Sequence, residues 1–295
     1  IKPTNWFYTH IAYTQTLNRP DFNSISPNTW IYTGFPPFSY ISSRPDLRAE
    51  HWTNYDVQLT VHGPKIGLFS VSGFYKTVKD KIWNRSYKRL KGDPIVDPNF
   101  SDNDVVNVSQ PENHQYPIYL KGVEVELQTS FWYLPKPFSY LTFSSNYTYT
   151  DSRTQNPFSD IRNIVPAGGG RPVATRIDST TTAVMLFQPK HILNLSLGYN
   201  RKGLNVWLSY QYNGLIYTSQ SQQLKELDAM KEFYNRWDLQ ISQKLKGKLK
   251  GLEILANIAN LSNFTETARL QGDPRPTYME KYGWTADIGI RYKFL

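Results

Sequence analysis

The segment Trp284-Thr-Ala-Asp-Ile-Gly-Ile-Arg-Tyr-Lys-Phe-Leu295 decides how the rest of the chain is read. Apolar or aromatic residues stand at every second position: Trp284, Ala286, Ile288, Ile290, Tyr292 and Phe294. Thr285, Asp287, Gly289, Arg291 and Lys293 fall between them. Side chains alternate across a β-strand, so the segment has one apolar and one polar face. A sandwich strand would show the same alternation. Here, however, the pattern reaches the last residues, carries aromatics at both ends, and recurs along the chain in about nine further segments. Transmembrane β-barrel strands, with lipid outside and a polar interior, require that pattern.

Composition agrees. The mean hydropathy of -0.53 and the lack of any apolar run near the roughly 18–20 residues of a spanning helix exclude a helical membrane protein. They do not exclude a barrel, whose strands meet lipid only at alternate residues. The 21 Tyr and 8 Trp suit membrane–water interfaces, because each ring joins an apolar body to a polar group. With no cysteine there is no thiol nucleophile, thiolate metal site or disulfide. The formal charge of +9 raises nucleic-acid binding as a possibility, but the basic residues are scattered through turns and loops, with no basic helix or aromatic RNA-binding motif, so no nucleic-acid partner is expected. The chain opens at Ile1 with neither Met nor a signal peptide, which reads as a mature protein or a piece of a longer one.

Ten strands are predicted, over 5–17, 50–62, 66–82, 118–133, 138–150, 190–200, 204–217, 233–245, 251–261 and 284–294. Strand five alternates most cleanly, with Leu141, Phe143, Tyr147 and Tyr149 against Thr142, Ser144, Asn146, Thr148 and Thr150. The connections alternate long and short without exception. Gly63-Pro64-Lys65, Leu134–Pro137, Arg201-Lys202-Gly203 and Lys246–Lys250 are short; 18–48, 83–117, 151–188, 218–232 and 262–279 are long. A turn or two of helix is expected around Leu224, Leu227 and Met230. Tight periplasmic turns and long external loops are the rule of outer-membrane barrels. The predicted fold class is therefore all-β, an antiparallel transmembrane barrel in the bacterial outer membrane. Trp207 falls on the polar parity of strand seven and should line the lumen or touch a plug. Lys121 falls on the lipid parity of strand four and should lie near the loop end, where its ammonium can snorkel.

Several stretches carry a family likeness. Tyr13-Thr-Gln-Thr-Leu-Asn-Arg-Pro-Asp-Phe22 resembles a strand end and Arg-Pro loop start found midway along TonB-dependent receptor barrels. Arg44-Pro-Asp-Leu-Arg-Ala-Glu50, with Asn54-Tyr-Asp56 after it, resembles their Asn-Pro-x-Leu-x-Pro-Glu entry to the next strand. Asn260-Leu-Ser-Asn263 and 282–294 resemble the closing strands. Ala49 replaces the usual second proline, and Leu295 follows the aromatic that normally ends the chain. The resemblance implies that residues 1–295 are the C-terminal portion of a barrel of twenty-two strands, contributing about ten, with the plug domain and the segment that contacts TonB placed N-terminal to it. It further implies import of a scarce siderophore, vitamin or oligosaccharide, driven by the TonB complex, with no enzymatic step and no cofactor.

For ligand contact the sequence offers Trp30, Tyr32, Phe35 and Tyr40 in the first long loop, stiffened by Pro36-Pro37. Such rings can stack on a sugar, a haem or an aromatic siderophore; packing of loop on loop is the plainer reading. Glu124 and Glu126 share the lumen parity, so their carboxylates point the same way toward a cation, a plug or a neighbouring strand. The five histidines (His10, His51, His62, His114, His191) show no metal-ligand spacing. The alternative is a complete ten-stranded barrel acting as an omptin-like protease through His51 and Asp151, which nothing in the sequence brings together. A passive porin or adhesin is the third reading.

Overall fold

The computed structural model describes residues 4–221 and 224–293, apart from the side chains of residues 159 and 160. Ten strands form one meandering sheet: β1 (Phe7–Asn18), β2 (Glu50–Gly63), β3 (Gly67–Lys79), β4 (Ile118–Ser130), β5 (Leu141–Ile164), β6 (His191–Arg201), β7 (Leu204–Asn213), β8 (Tyr234–Lys244), β9 (Leu252–Ala259) and β10 (Thr285–Tyr292). Each pairs antiparallel with its neighbours in chain order. The alternating strand direction gathers the four short turns at one rim and the long loops at the other. Side chains fasten the short-turn rim: the Trp132 indole donates to the Pro64 carbonyl at 2.8 Å, tying the 131–137 turn to the 63–65 turn.

The outer face is apolar because register brings matching residues into rows. Phe143, Leu197, Leu208, Leu239, Ile258 and Ala286 lie side by side across six strands. Nearer the long loops Tyr13, Tyr55, Tyr75 and Tyr119 form a ladder of rings, with centroids 5.1, 6.4 and 6.5 Å apart in turn. Phenols on an apolar ring suit the level of lipid headgroups. Lys121 belongs to this band, opposite Tyr75 and Asp151, away from the middle of the apolar face. The inner face instead carries polar ladders, such as Thr60 with Ser70 at 3.1 Å and Ser196 with Ser209 at 3.2 Å.

Two inner-face glycines admit aromatic rings. The Trp207 ring covers Gly198, where a Cβ would meet three ring atoms within 2.9 Å; the Phe74 ring covers Gly122, whose Cβ would meet that ring and the Tyr149 carbonyl at 2.3 Å each. Trp207 thus lies on the lumen side, as its parity predicts. Covering the glycines shields backbone that would otherwise stand bare in the sheet. Among the described residues the sheet is open: β1 pairs with β2 and β10 with β9, and the first and last strands are not laddered together.

Four expectations need correction. Strand five does not stop at Thr150; it runs to Ile164 and returns as Val173–Ala183, with Thr154 opposite Ala183, so much of the expected 151–188 loop is a projecting hairpin. Strand three ends at Lys79, where Asp80 takes a positive φ of 56°. Strand seven ends at Asn213 before Gly214. The helical expectation holds only as the three-residue 3-10 turn Lys225–Leu227, while Met230 is a buried strand residue.

The remaining loops fold into two small sheets. One contains Thr29–Tyr32, Phe38–Ser42, Val106–Asn113 and Ile82–Arg89, with the second and third strands parallel; its core is Phe100, Val106 and Val108, against which Ile31, Phe38, Tyr40 and Tyr87 pack. The other contains Ile216–Ser219, Ala229–Lys231, Glu266–Leu270 and Pro276–Glu280. Phe294 and Leu295, the expected terminal aromatic and its successor, lie outside the described residues.

Candidate functional site: a cleft above the inner face

The inner face is not polar throughout. At its long-loop end Val78, Ile118 and Leu120 are buried, with Trp52 and Met185 packed on them. These inward residues form a small core because the loops fold back over the sheet and remove them from water.

Glu50 anchors this region. The residue is 1% exposed, and each carboxylate oxygen accepts two hydrogen bonds: Oε1 from Lys81 Nζ at 2.8 Å and the Ile82 amide at 3.0 Å, Oε2 from Trp52 Nε1 at 3.0 Å and Asn18 Nδ2 at 3.1 Å. A buried carboxylate is tolerated when its lone pairs are filled in this way. One residue thus joins the end of β1, the start of β2 and the start of the Ile82–Arg89 strand. In the loop segment before β2, the Arg44 guanidinium grips Asp46 and holds the pKa of that carboxyl down to about 2.

A second chain of polar groups joins three loops. His114 is buried, with Nδ1 2.8 Å from the Tyr116 carbonyl and Nε2 2.8 Å from Asn156 Oδ1; the Asn156 amide donates to Gln220, whose Nε2 donates to the Val184 carbonyl at 3.1 Å. The Trp83 ring leans on His114, centroids 4.9 Å apart. Nearby, the buried Asp228 accepts from the Ser221 amide at 2.7 Å, and burial pushes its carboxyl above the usual range.

Between these ties lies a cleft of about 1080 Å³. It is lined by Ile118, Leu120, Thr154 and Asn156 on the inner face, by Trp83, Asn84 and Ser86 of the second long loop, and by Met185–Gln188 and Thr218–Ser221. Phe187 has a left-handed φ of 58°, fixed by its amide donating to the Tyr217 carbonyl at 2.9 Å, and is 69% exposed.

None of the six residues singled out for ligand contact is among those lining the cleft. Trp30, Tyr32 and Phe35 are exposed on the first loop sheet, whereas Tyr40 turns toward Phe100, centroids 6.3 Å apart. Glu124 accepts from Asn146 at 3.0 Å and Thr148 at 3.3 Å, and Glu126 accepts from Gln128 at 2.6 Å, farther along the inner face. The sequence reading missed Trp83, Asn156, Phe187 and Gln220, and named His114 only as a histidine without metal-ligand spacing. Asn156 had a signal, since the inner parity Thr150, Ser152, Thr154, Asn156 continues past the expected end of strand five; the others lie in loops without periodicity.

A family profile described as "TonB dependent receptor-like, beta-barrel" matches residues 2–261. The chain belongs to the TonB-dependent receptor family. It is accordingly an outer-membrane barrel protein of a transporter family and not an enzyme, its long loops are extracellular, and its short turns are periplasmic. His51 and Asp151, the protease candidates, stand on β2 and β5 with β3 and β4 between them. No curated protein matches the chain significantly in sequence.

Solved structures share the fold. The ferric enterobactin receptor PfeA of Pseudomonas aeruginosa, solved as a mutant, superposes with a TM-score of 0.63 at 16% identity, covering 99% of this chain and 39% of that one. The siderophore receptor PirA of Acinetobacter baumannii gives 0.60 at 14% identity, covering 99% and 40%. The ferric-catecholate import receptor Fiu of E. coli K12 gives 0.57 at 12% identity, covering 99% and 34%. This chain therefore spans about two-fifths or less of those receptors.

Proposed function

We propose that this chain is the C-terminal sector of a receptor barrel that imports a scarce solute across the outer membrane, driven by the TonB complex. The observation that carries this reading is the extracellular cleft opening over the inner face of the membrane sheet, where a captured solute would sit above the lumen. The edges of β1 and β10, unpaired among the described residues, support a larger barrel, because unpaired strand edges cannot be satisfied in hydrocarbon. The rest of the barrel would close the sheet, and a plug domain would meet the inner face at Trp207 and Phe74. In this arrangement Trp30, Tyr32 and Phe35 are outer ligand contacts, Tyr40 holds their loop in place, and Glu124 and Glu126 line the path below.

The test is genetic. Strains lacking this receptor, lacking TonB, or lacking both should be grown where iron is limiting as a ferric catecholate, or carbon as a neutral oligosaccharide. A receptor-dependent defect no deeper in the double mutant is expected on one such medium. Additive defects, or none on any medium, would contradict the reading.

A further inference from the structure

We propose that the extracellular cleft binds an uncharged, polyhydroxylated ligand of the oligosaccharide class. This rests on the receptor reading above and adds to it the chemistry of the ligand.

The first argument is charge. Among the described residues, Asp21 and Lys81 are the only charged groups lining the cleft. The Lys81 ammonium is committed to buried Glu50 at 2.8 Å, and the Asp21 carboxylate accepts from the Ser24 amide at 2.9 Å and its hydroxyl at 3.1 Å. Two arginines of the loop regions serve internal ties. Arg89, fully buried, donates to the carbonyls of Asp93, Pro94, Ser101 and Asp104, and Arg176 bridges Asp93 to Asp178. An anionic metal chelate entering this cleft would lose hydration and, among the described residues lining it, meet no cation other than the committed Lys81.

The second argument is the uncharged part of the polar lining, hydroxyls and amides such as Asn84 and Ser219, beside Ser86 and Gln220, which are engaged with Ser109 and with Asn156 and Val184. These groups both donate and accept, as sugar hydroxyls do. The third is aromatic. Phe187 is held in a backbone conformation unusual for a bulky residue and shows most of its surface, and Trp83, supported by His114, lines the same cleft. A pyranose has apolar C–H faces that stack on such rings and an edge of hydroxyls that pairs with such amides. Rings and neutral hydrogen-bonding groups lining one cleft suit that shape.

The experiment is equilibrium binding to the full-length receptor in detergent, read by tryptophan fluorescence and calorimetry. The probes are neutral hexasaccharides of gluco, manno, xylo and galacto configuration, and ferric enterobactin as the anionic comparison. At least one hexasaccharide should bind saturably, with its Kd nearly unchanged between low and high salt. Phe187→Gly, which suits the left-handed backbone, and Trp83→Ala should each weaken binding about tenfold or more; Phe187→Tyr should retain it. Saturable binding of no hexasaccharide overturns the proposal, as does sugar binding indifferent to both Phe187→Gly and Trp83→Ala. Salt-sensitive binding of the ferric chelate alone also overturns it while leaving TonB-driven import intact, so the two readings fail separately.

Discussion

The Lys81 ammonium lies 2.8 Å from the Glu50 carboxylate and anchors the second long loop to the first residue of β2. Three further donors converge on that carboxylate, so Glu50→Ala would strand them together in a buried site. Lys81, part-exposed, can turn toward water, but the Trp52 indole and the Ile82 amide cannot readily do so. The expected cost is about 3 kcal/mol, with a smaller loss for Glu50→Gln, which keeps an acceptor oxygen. Unfolding midpoints of the full-length receptor in detergent would show that order.

The covered glycines give a second expectation. A Cβ at Gly122 would meet both the Phe74 ring and the Tyr149 backbone carbonyl, whereas at Gly198 its three nearest neighbours would all be atoms of the Trp207 ring. A side chain can move more readily than a strand carbonyl. Gly198→Ala should therefore cost about 1 kcal/mol and Gly122→Ala about 2–3 kcal/mol, and Trp207→Ala combined with Gly198→Ala should remove the penalty at Gly198. Denaturation midpoints of the single and double variants would show this coupling.

The two faces of β7 should differ in tolerance of charge. Leu208 lies between Leu197 and Leu239 on the lipid side, and Ser209 lies between Ser196 and Asp238 on the inner side. Leu208→Arg should cost about 2–4 kcal/mol, while Ser209→Arg should cost far less because water, a plug or Asp238 can solvate it. Outer-membrane yield after heat challenge compares them; equal losses would mean the faces are misassigned.

Acidity should act through Asp228. Burial raises its folded carboxyl above its unfolded value, so its ionisation opposes folding. That penalty is absent below the ordinary aspartate range and grows as pH rises through the raised folded value. Asp228→Asn can still accept from the Ser221 amide, so it should raise the melting temperature at neutral pH and lose that advantage in acid. Melting curves across this range test the sign.

How much of this was legible beforehand follows from where periodicity exists. Membrane strands alternate because lipid on one side forces them to, and Leu204–Tyr212 or Leu141–Thr150 could be assigned from that rule alone. The even rhythm of turns such as Arg201-Lys202-Gly203 gave the topology. Above the membrane the constraint lapses. Ile31, Tyr40 and Val108 form a loop core through a parallel pairing that no local pattern announces. Phe187 and Trp83 reach one cleft from loops distant in sequence. Glu50 was visible as a motif residue, but its four donors come from three separate segments.

The central claim is that the cleft and its loops face the outside of the cell and the short turns face the periplasm. This chain contains no cysteine, so single substitutions can report on it within a full-length receptor otherwise freed of cysteine. Ser219→Cys in the cleft wall and Lys248→Cys in the β8–β9 turn should be treated with a membrane-impermeant maleimide on intact cells, then again after the outer membrane is permeabilised. Labelling at position 219 in intact cells, with position 248 reacting only after permeabilisation, is the predicted result. Labelling at 248 in intact cells with 219 protected would contradict the account.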